Sequence, residues 1–162
     1  MDYETTFRRL YPSLFRYLHR LTGDPDVADD LAQEAFVRLL GRRLPEEAVR
    51  VWLFTVATNL VRDRGRKAAR RERILAAEPV RPEPVPTPEE EAERGARIAA
   101  VREALGRIPT RDREILLMRE EGFSYAEIAR VVGSAPGSVG TLLARALRKF
   151  TRAYCTTSGG EG

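Results

Sequence analysis

Between Ala76 and Glu90 the chain reads AAEPVRPEPVPTPEE, and five of its ten prolines fall in that stretch. Each proline fixes φ, removes a backbone donor and pushes the residue before it away from the helical region. The stretch therefore cannot form helix or sheet, and an extended, flexible tether is expected. It divides the chain into two bodies, 1–73 and 94–154, with a linker over 74–93 and a disordered tail over 155–162. Charge follows the same division. Residues 62–73 hold seven basic side chains against Asp63 and Glu72, residues 74–93 hold six acids against Arg81, and residues 94–162 hold twelve basic side chains against seven acids. Two basic segments separated by an acidic one imply two surfaces that meet a polyanion, with a tether that does not.

Apolar periodicity makes both bodies helical. Phe7, Leu10, Leu14, Leu18 and Leu21 recur at helical spacing over 3–21, with Pro12 as a weak point that splits or kinks the helix. Gly23 ends it. Asp24 then caps a second helix with Pro25 at its first position. That helix buries Val27, Ala28, Leu31, Ala35, Phe36, Leu39 and Leu40, and leaves Asp29, Asp30, Gln33, Glu34 and Val37 on or near the other side. After Gly41 a third helix starts near Pro45 or Glu46 and runs to about Arg71. Its core residues are Val49, Trp52, Leu53, Val56 and Leu60, and its far end, RDRGRKAARR, reads as a phosphate-tracking surface. Past the tether, Ile98, Val101, Leu105 and Ile108 mark another amphipathic helix. Thr110 caps the next one, which carries Ile115, Leu116 and Met118.

The stretch FSYAEIARVVGSAPGSVGTLLARALRKF, Phe123 to Phe150, reads as two short helices around a tight turn. Tyr125, Ile128, Ala129 and Val132 share one face, and Gly133 leaves the helix at positive φ. Ser134 or Ala135 caps the second helix, with Pro136 in its first turn. Val139, Leu143, Ala146 and Phe150 then repeat at helical spacing. Ala126, Ala129 and Gly133 let the two helices approach closely. This layout is either an ordinary helical hairpin in a core or a helix-turn-helix whose second helix enters a DNA major groove.

Catalysis finds little support. His19 is the only histidine, and the chain has no HxxxH, no CxxC, no Gly-rich phosphate loop and no GxSxG. The paired acids lie on exposed faces or in the linker rather than converging in a cleft. Cys155, alone, excludes an internal disulfide and a cysteine-based zinc site. No apolar run approaches the roughly 20 residues that span a membrane, and the N-terminus shows no secretory signal. A non-enzyme without cofactor or metal, located in the cytoplasm, is expected.

Four pieces carry a resemblance to a known family: LYPSLFRYLHRLTGDPDVADDLAQEAFVRLL, VWLFTVATNLVRDRGRK, the proline-rich spacer, and LGRIPTRDREILLMREEGFSYAEIARVVGSAPGSVGTLLARALRKF. In this order, covering residues 7–154, they resemble the extracytoplasmic-function (group 4) sigma factors of bacterial RNA polymerase, which keep only regions 2 and 4 of the sigma-70 family. The resemblance implies an all-α fold: a three- to four-helix region 2 domain and a helix-turn-helix region 4 domain, joined by the flexible Pro/Glu-rich linker. It implies a protein that binds core polymerase and directs it to promoters, in a stress or envelope response.

The same resemblance assigns roles to residues. The segment matching DLAQEAF docks on the β′ clamp helices, which gives core-polymerase binding to Asp30, Gln33, Glu34 and Val37. Asn59 lines a pocket for a base flipped from the non-template strand of the −10 element, and Arg62, Arg64, Arg66 and Lys67 supply cations for its phosphates. Trp52 either supports strand separation or stays in the core. Ser138, Thr141, Arg145, Arg148 and Lys149 read the −35 element, and region 4 meets the β flap. The family places Lys or Arg where this chain has Gly140 and Leu142, so −35 contact either is weak or leans on Arg145, Arg130 and backbone N–H groups. An anti-sigma factor that clamps both domains is implied as a further partner, and no small-molecule substrate or membrane insertion is. The competing readings are a stand-alone helix-turn-helix repressor or activator, and a protein-binding adaptor in which the hairpin is only core.

Overall fold

The computed structural model describes residues 2–75 and 89–158, and every regular element among them is helical. The order is α1 (Tyr3–Thr22), α2 (Pro25–Leu39), α3 (Glu46–Leu75), α4 (Glu89–Arg107), α5 (Thr110–Glu120), α6 (Tyr125–Val132), a 3₁₀ turn (Pro136–Ser138) and α7 (Val139–Ser158). Helices α1 to α3 form one module and α4 to α7 the other. The tether expected over 74–93 has helical ends, because α3 reaches Leu75 and α4 starts at Glu89. Its centre lies outside the described residues. The tail is also shorter than expected, since α7 carries residues 155–158.

In the first module, Leu10, Leu14, Tyr17, Leu18 and Leu21 make the buried face of α1. Pro12 does not split this helix. It sits on the exposed side, while the residues before and after it are locked into one core, so a kink would lift half of that face off. Gly23 closes α1 at φ 75°, donating its N–H to the His19 carbonyl at 2.8 Å. Asp24 Oδ1 then accepts from the N–H groups of Asp26 and Val27 at 2.9 and 3.4 Å, with Pro25 beginning α2 as the sequence predicts. Ala28, Ala32 and Ala35 are fully buried, and their small side chains bring α2 close to α1 and α3. Leu40 departs from expectation. It lies one residue past the end of α2, where the chain turns out toward Gly41, and it is 57% exposed.

Helix α3 differs most from its sequence-level description. Val49 and Leu53 are buried as expected, whereas Trp52, Val56 and Leu60 are only half-buried. Phe54, Ala57 and Thr58 take the interior positions instead. The reason is that α3 has two covered faces: one meets α1 and α2, and the other meets α6 of the second module. Tyr17 and Thr58, both fully buried, share a hydrogen bond of 2.7 Å across the first of these faces. Burial pushes the Tyr17 phenol well above its ordinary pKa, which keeps the hydroxyl neutral.

The second module is built on α7, which packs against α4 and α5. Ala104, Leu105 and Ile108 anchor α4, but Ile98 and Val101, expected on its buried face, are 48% and 38% exposed. On α5 the buried residues are Ile115, Leu117 and Met118, so Leu117 replaces Leu116, and Asp112 and Glu114 are buried with them. Thr110 does not cap α5; Pro109 holds the cap position and Thr110 is the first helical residue, accepting from Arg113 Nη2 at 3.2 Å.

The Tyr17–Thr58 bond gives a direct test. Tyr17→Phe should destabilise the fold by about 1–3 kcal/mol, because it leaves the Thr58 hydroxyl buried without its partner. Adding Thr58→Val should recover part of that loss, and urea unfolding of both singles and the double measures the coupling.

Candidate nucleic-acid interface

Helix α6 starts in a reciprocal cap that the sequence reading missed. Ser124 Oγ accepts from the Glu127 N–H at 3.1 Å, and Glu127 Oε1 accepts from the Ser124 N–H at 2.9 Å. The S-x-x-E signal is plainly present at 124–127. At the other end Gly133 takes φ 72°, and the N–H groups of Gly133 and Ser134 both donate to the Ala129 carbonyl. Ala135, not Ser134, is the cap that follows, and Pro136 opens a 3₁₀ turn before α7 proper. Ile128, Ala129 and Val131 are the inner residues of α6. Ala126 is exposed, and Tyr125 is largely so, with the Arg119 guanidinium 5.1 Å above its ring. The stretch is thus a helix-turn-helix with a shorter inner face than periodicity suggested.

Val139 and Ala146 hold α7 against the core, which turns Ser138, Thr141, Arg145 and Arg148 outward along one side. Lys149 is exposed too, but its Nζ lies 3.0 Å from Asp112 Oδ2. Leu142 is half-buried against the core. A Cβ on Gly140 would sit 3.5 Å from Tyr125 Cε2, an ordinary contact, so small side chains fit there. Arg130 is exposed on α6.

On α2, Asp30, Gln33, Glu34 and Val37 are all exposed. Gln33 Nε2 donates to Asp29 Oδ2 at 2.8 Å and Arg38 Nε donates to Glu34 Oε1 at 3.1 Å, which orders the polar strip without covering it. Exposed Leu40 extends the apolar end beside Val37. On α3, Asn59, Arg64, Arg66 and Lys67 face solvent, with Arg66 Nη2 2.7 Å from Asp63 Oδ1. Half-buried Trp52 carries the Arg42 guanidinium 5.5 Å from its ring. These predicted residues form three separate faces rather than one cleft. Among the described residues no group of His, Cys, Asp and Glu could hold a metal ion, and no helix is long and apolar enough to cross a membrane.

Arg62 is the exception among the predicted cations. Its Nε and Nη2 donate to the two carboxylate oxygens of Glu114 on α5, at 3.1 and 2.6 Å. The Glu114 side chain is 1% exposed and that of Arg62 is 35% exposed. The bond to Glu114 holds the Arg62 guanidinium above its ordinary pKa. Two more pairs join the modules. Arg16 Nε and Nη2 both reach Glu121, at 3.1 Å each, and Arg50 Nη2 reaches both oxygens of Glu127 at 3.0 and 2.9 Å. Burial pushes the Glu127 carboxyl up, but the Ser124 N–H and Arg50 together pull it below its ordinary value.

Comparison with known proteins decides what these faces belong to. The Sigma-70 region 2 family matches residues 6–71, and Sigma-70, region 4 matches residues 98–150. The ECF RNA polymerase sigma factor EcfG of Rhodopseudomonas palustris is 33% identical over 147 residues, covering 86% of this chain and 78% of that protein. The chain belongs to the sigma-70 family, in its extracytoplasmic-function group. The ECF sigma factor BldN of Streptomyces coelicolor is 32% identical over 157 residues, and the chain spans 59% of its length. In fold, the sigma factor RpoE of Bartonella quintana, solved with the anti-sigma factor NepR, superposes with a TM-score of 0.69 at 20% identity, covering 94% of this chain and 96% of that one. In this sigma factor the region 2 match ends within α3 and the region 4 match begins within α4, on either side of the proline-rich stretch.

The depressed Glu127 pKa fixes the sign of one pH effect. Its stabilisation is fully present above the unfolded glutamate value of 4.5 and is lost as pH falls through the lower folded value. Urea melts from pH 6 to pH 3 should therefore show Glu127→Gln less stable than the parent at pH 6, with the gap narrowing as the medium becomes more acid.

Proposed function

We propose that the sigma factor uses its three faces in a division of labour. The α2 strip of Asp30, Gln33, Glu34 and Val37 binds core RNA polymerase at the β′ clamp helices, where an acidic-polar edge beside an apolar residue suits basic partner helices. Asn59 on α3 receives a base of the −10 element, with Arg62, Arg64, Arg66 and Lys67 neutralising the strand's phosphates. The outer side of α7 and the 3₁₀ turn before it, with Ser138, Thr141, Arg145, Arg148 and Lys149, enter the major groove at the −35 element, while region 4 meets the β flap. The observation that carries this reading is the outward row on α7, held out by buried Val139 and Ala146, in the same chain as an uncovered acidic strip on α2. The protein acts in the cytoplasm as an initiation factor rather than an enzyme, under an anti-sigma factor that clamps both modules, in a stress or envelope response.

Gly140 and Leu142 bear on the −35 contact. With Leu142 turned toward the core, the row depends on Arg145 and Arg148, supported by Arg130 and backbone N–H groups, and each phosphate contact adds roughly one to the salt slope.

Size exclusion with core polymerase, followed by run-off transcription, tests the assignment. Asp30→Arg or Glu34→Arg should abolish co-elution. Asn59→Ala should co-elute normally yet open promoters poorly. Specific, tight binding to palindromic DNA with no polymerase present would instead favour a stand-alone repressor or activator.

A further inference from the structure

The polar strip on α2 is not held by α2 alone. Along α1, Tyr3, Phe7, Tyr11 and Phe15 recur every fourth residue, so their rings stand one above another along the helix. Tyr11 is stacked between two of them, with its centroid 4.9 Å from that of Phe7 and 6.1 Å from that of Phe15. Phe36 of α2 adds a third ring at 6.2 Å. These contacts fix the Tyr11 ring, and its hydroxyl donates to Asp29 Oδ1 on α2.

Asp29 passes that order on. Its other oxygen, Oδ2, accepts from Gln33 Nε2 at 2.8 Å, one turn further along α2. A carboxylate can only accept, so this contact decides which way the Gln33 amide lies. Nε2 faces Asp29, and Oε1 is the end turned away from it. Tyr11 and Asp29 are half-buried while Gln33 is exposed, so the bonds run from packed rings out to the surface. Beside Gln33 stand the exposed carboxylates of Asp30 and Glu34. With Oε1 presented, the three side chains form an edge of acceptors. With the amide reversed, N–H donors would interrupt that edge, and an arginine or lysine of a partner would meet donor against donor.

We propose that Tyr11 and Asp29 are positioning residues for core-polymerase binding: through the Tyr11–Asp29–Gln33 hydrogen bonds they hold Gln33 with its amide oxygen outward, which makes the α2 strip selective for a partner surface of arginine and lysine N–H groups. The inference rests on the assignment of that strip to the β′ clamp helices. Neither Tyr11 nor Asp29 needs to touch the partner. Holding Gln33 in advance also lowers the side-chain entropy lost on binding.

Affinities of full-length variants for core polymerase test this, read from fluorescence anisotropy of the sigma factor labelled at exposed Cys155, its only cysteine. Tyr11→Phe keeps the row of rings and the charge and removes only the donor, and should weaken binding about threefold. Asp29→Asn still accepts from Tyr11 but turns an amide N–H toward residue 33, which reverses Gln33. Binding about tenfold weaker is expected, the size of one hydrogen bond to a charged group. Gln33→Glu sets two carboxylates against each other and should weaken binding about threefold, although it adds negative charge facing a basic partner. Combining Asp29→Asn with Gln33→Glu exchanges amide and carboxylate, remakes the bond and leaves an oxygen outward, so affinity should return to within about threefold of the parent.

Parental affinity in Tyr11→Phe and Asp29→Asn, with Glu34→Arg still abolishing binding, would overturn the positioning role and leave the strip assignment intact. Tighter binding by Gln33→Glu would do the same, since charge alone would then govern the contact. Normal binding by Asp30→Arg and Glu34→Arg would overturn the strip assignment itself. Urea midpoints separate folding from recognition: a Tyr11 that only supported the fold would lower the midpoint in Tyr11→Phe and leave the affinity of the folded protein unchanged, against the proposal.

Discussion

Glu114 is a carboxylate in the interior of a small helical protein, and it stays there because Arg62 reaches it from another module. A buried carboxylate without a partner is costly. Breaking a fully buried pair by removing one member destabilises by about 3–5 kcal/mol. The value here is smaller, since a third of the Arg62 side chain remains in contact with water. The pair therefore links two properties that are usually separate: how well the second module is packed, and whether the first module has its arginine available. Phe54 and Phe123 do the same for apolar surface: both are fully buried, with their rings in contact between α3 and the turn that leads into α6.

Each module otherwise follows simple rules. Small alanines on α2 allow close crossing, an aspartate and a proline start that helix, a glycine ends α1, and a serine–glutamate cap starts α6. These devices hold the functional rows at fixed angles. Buried Val139 and Ala146 fix the side of α7 that faces the core, and Ser138 of the 3₁₀ turn and Thr141, Arg145 and Arg148 of α7 are turned out. Glu127 belongs to both levels, since its carboxylate caps α6 and receives Arg50 from α3. A local folding signal is thereby tied to the contact between modules.

Much of this was legible from residue order. Helix starts at Pro25 and ends at Gly23 and Gly133 were readable because they depend on neighbours in the chain. The exposure of Asp30, Gln33, Glu34 and Val37 followed from the opposite apolar stripe of α2. The errors share a cause. Phe54 falls outside the single apolar face that periodicity gives α3, and Arg62 reads there as one more cation in a basic run, because periodicity describes one buried face and α3 has two. Ile98 and Val101 failed the other way: their spacing is that of a core helix, yet the buried residues here, Ala104, Leu105 and Ile108, gather at and just past the C-terminal end of α4. Leu40 and Thr110 were missed by one residue at a helix end, where the chain's direction changes and periodicity stops applying.

The association of the two modules through arginine–carboxylate pairs is the claim on which the rest stands, and small-angle X-ray scattering of the free protein at low ionic strength measures it most directly. A closed chain should give a radius of gyration near that of one compact domain of its length, about 15 Å, rising as added salt screens the three pairs. A distinctly larger radius at low salt, unchanged by salt, would mean that the modules hang independently on their tether and would contradict the account.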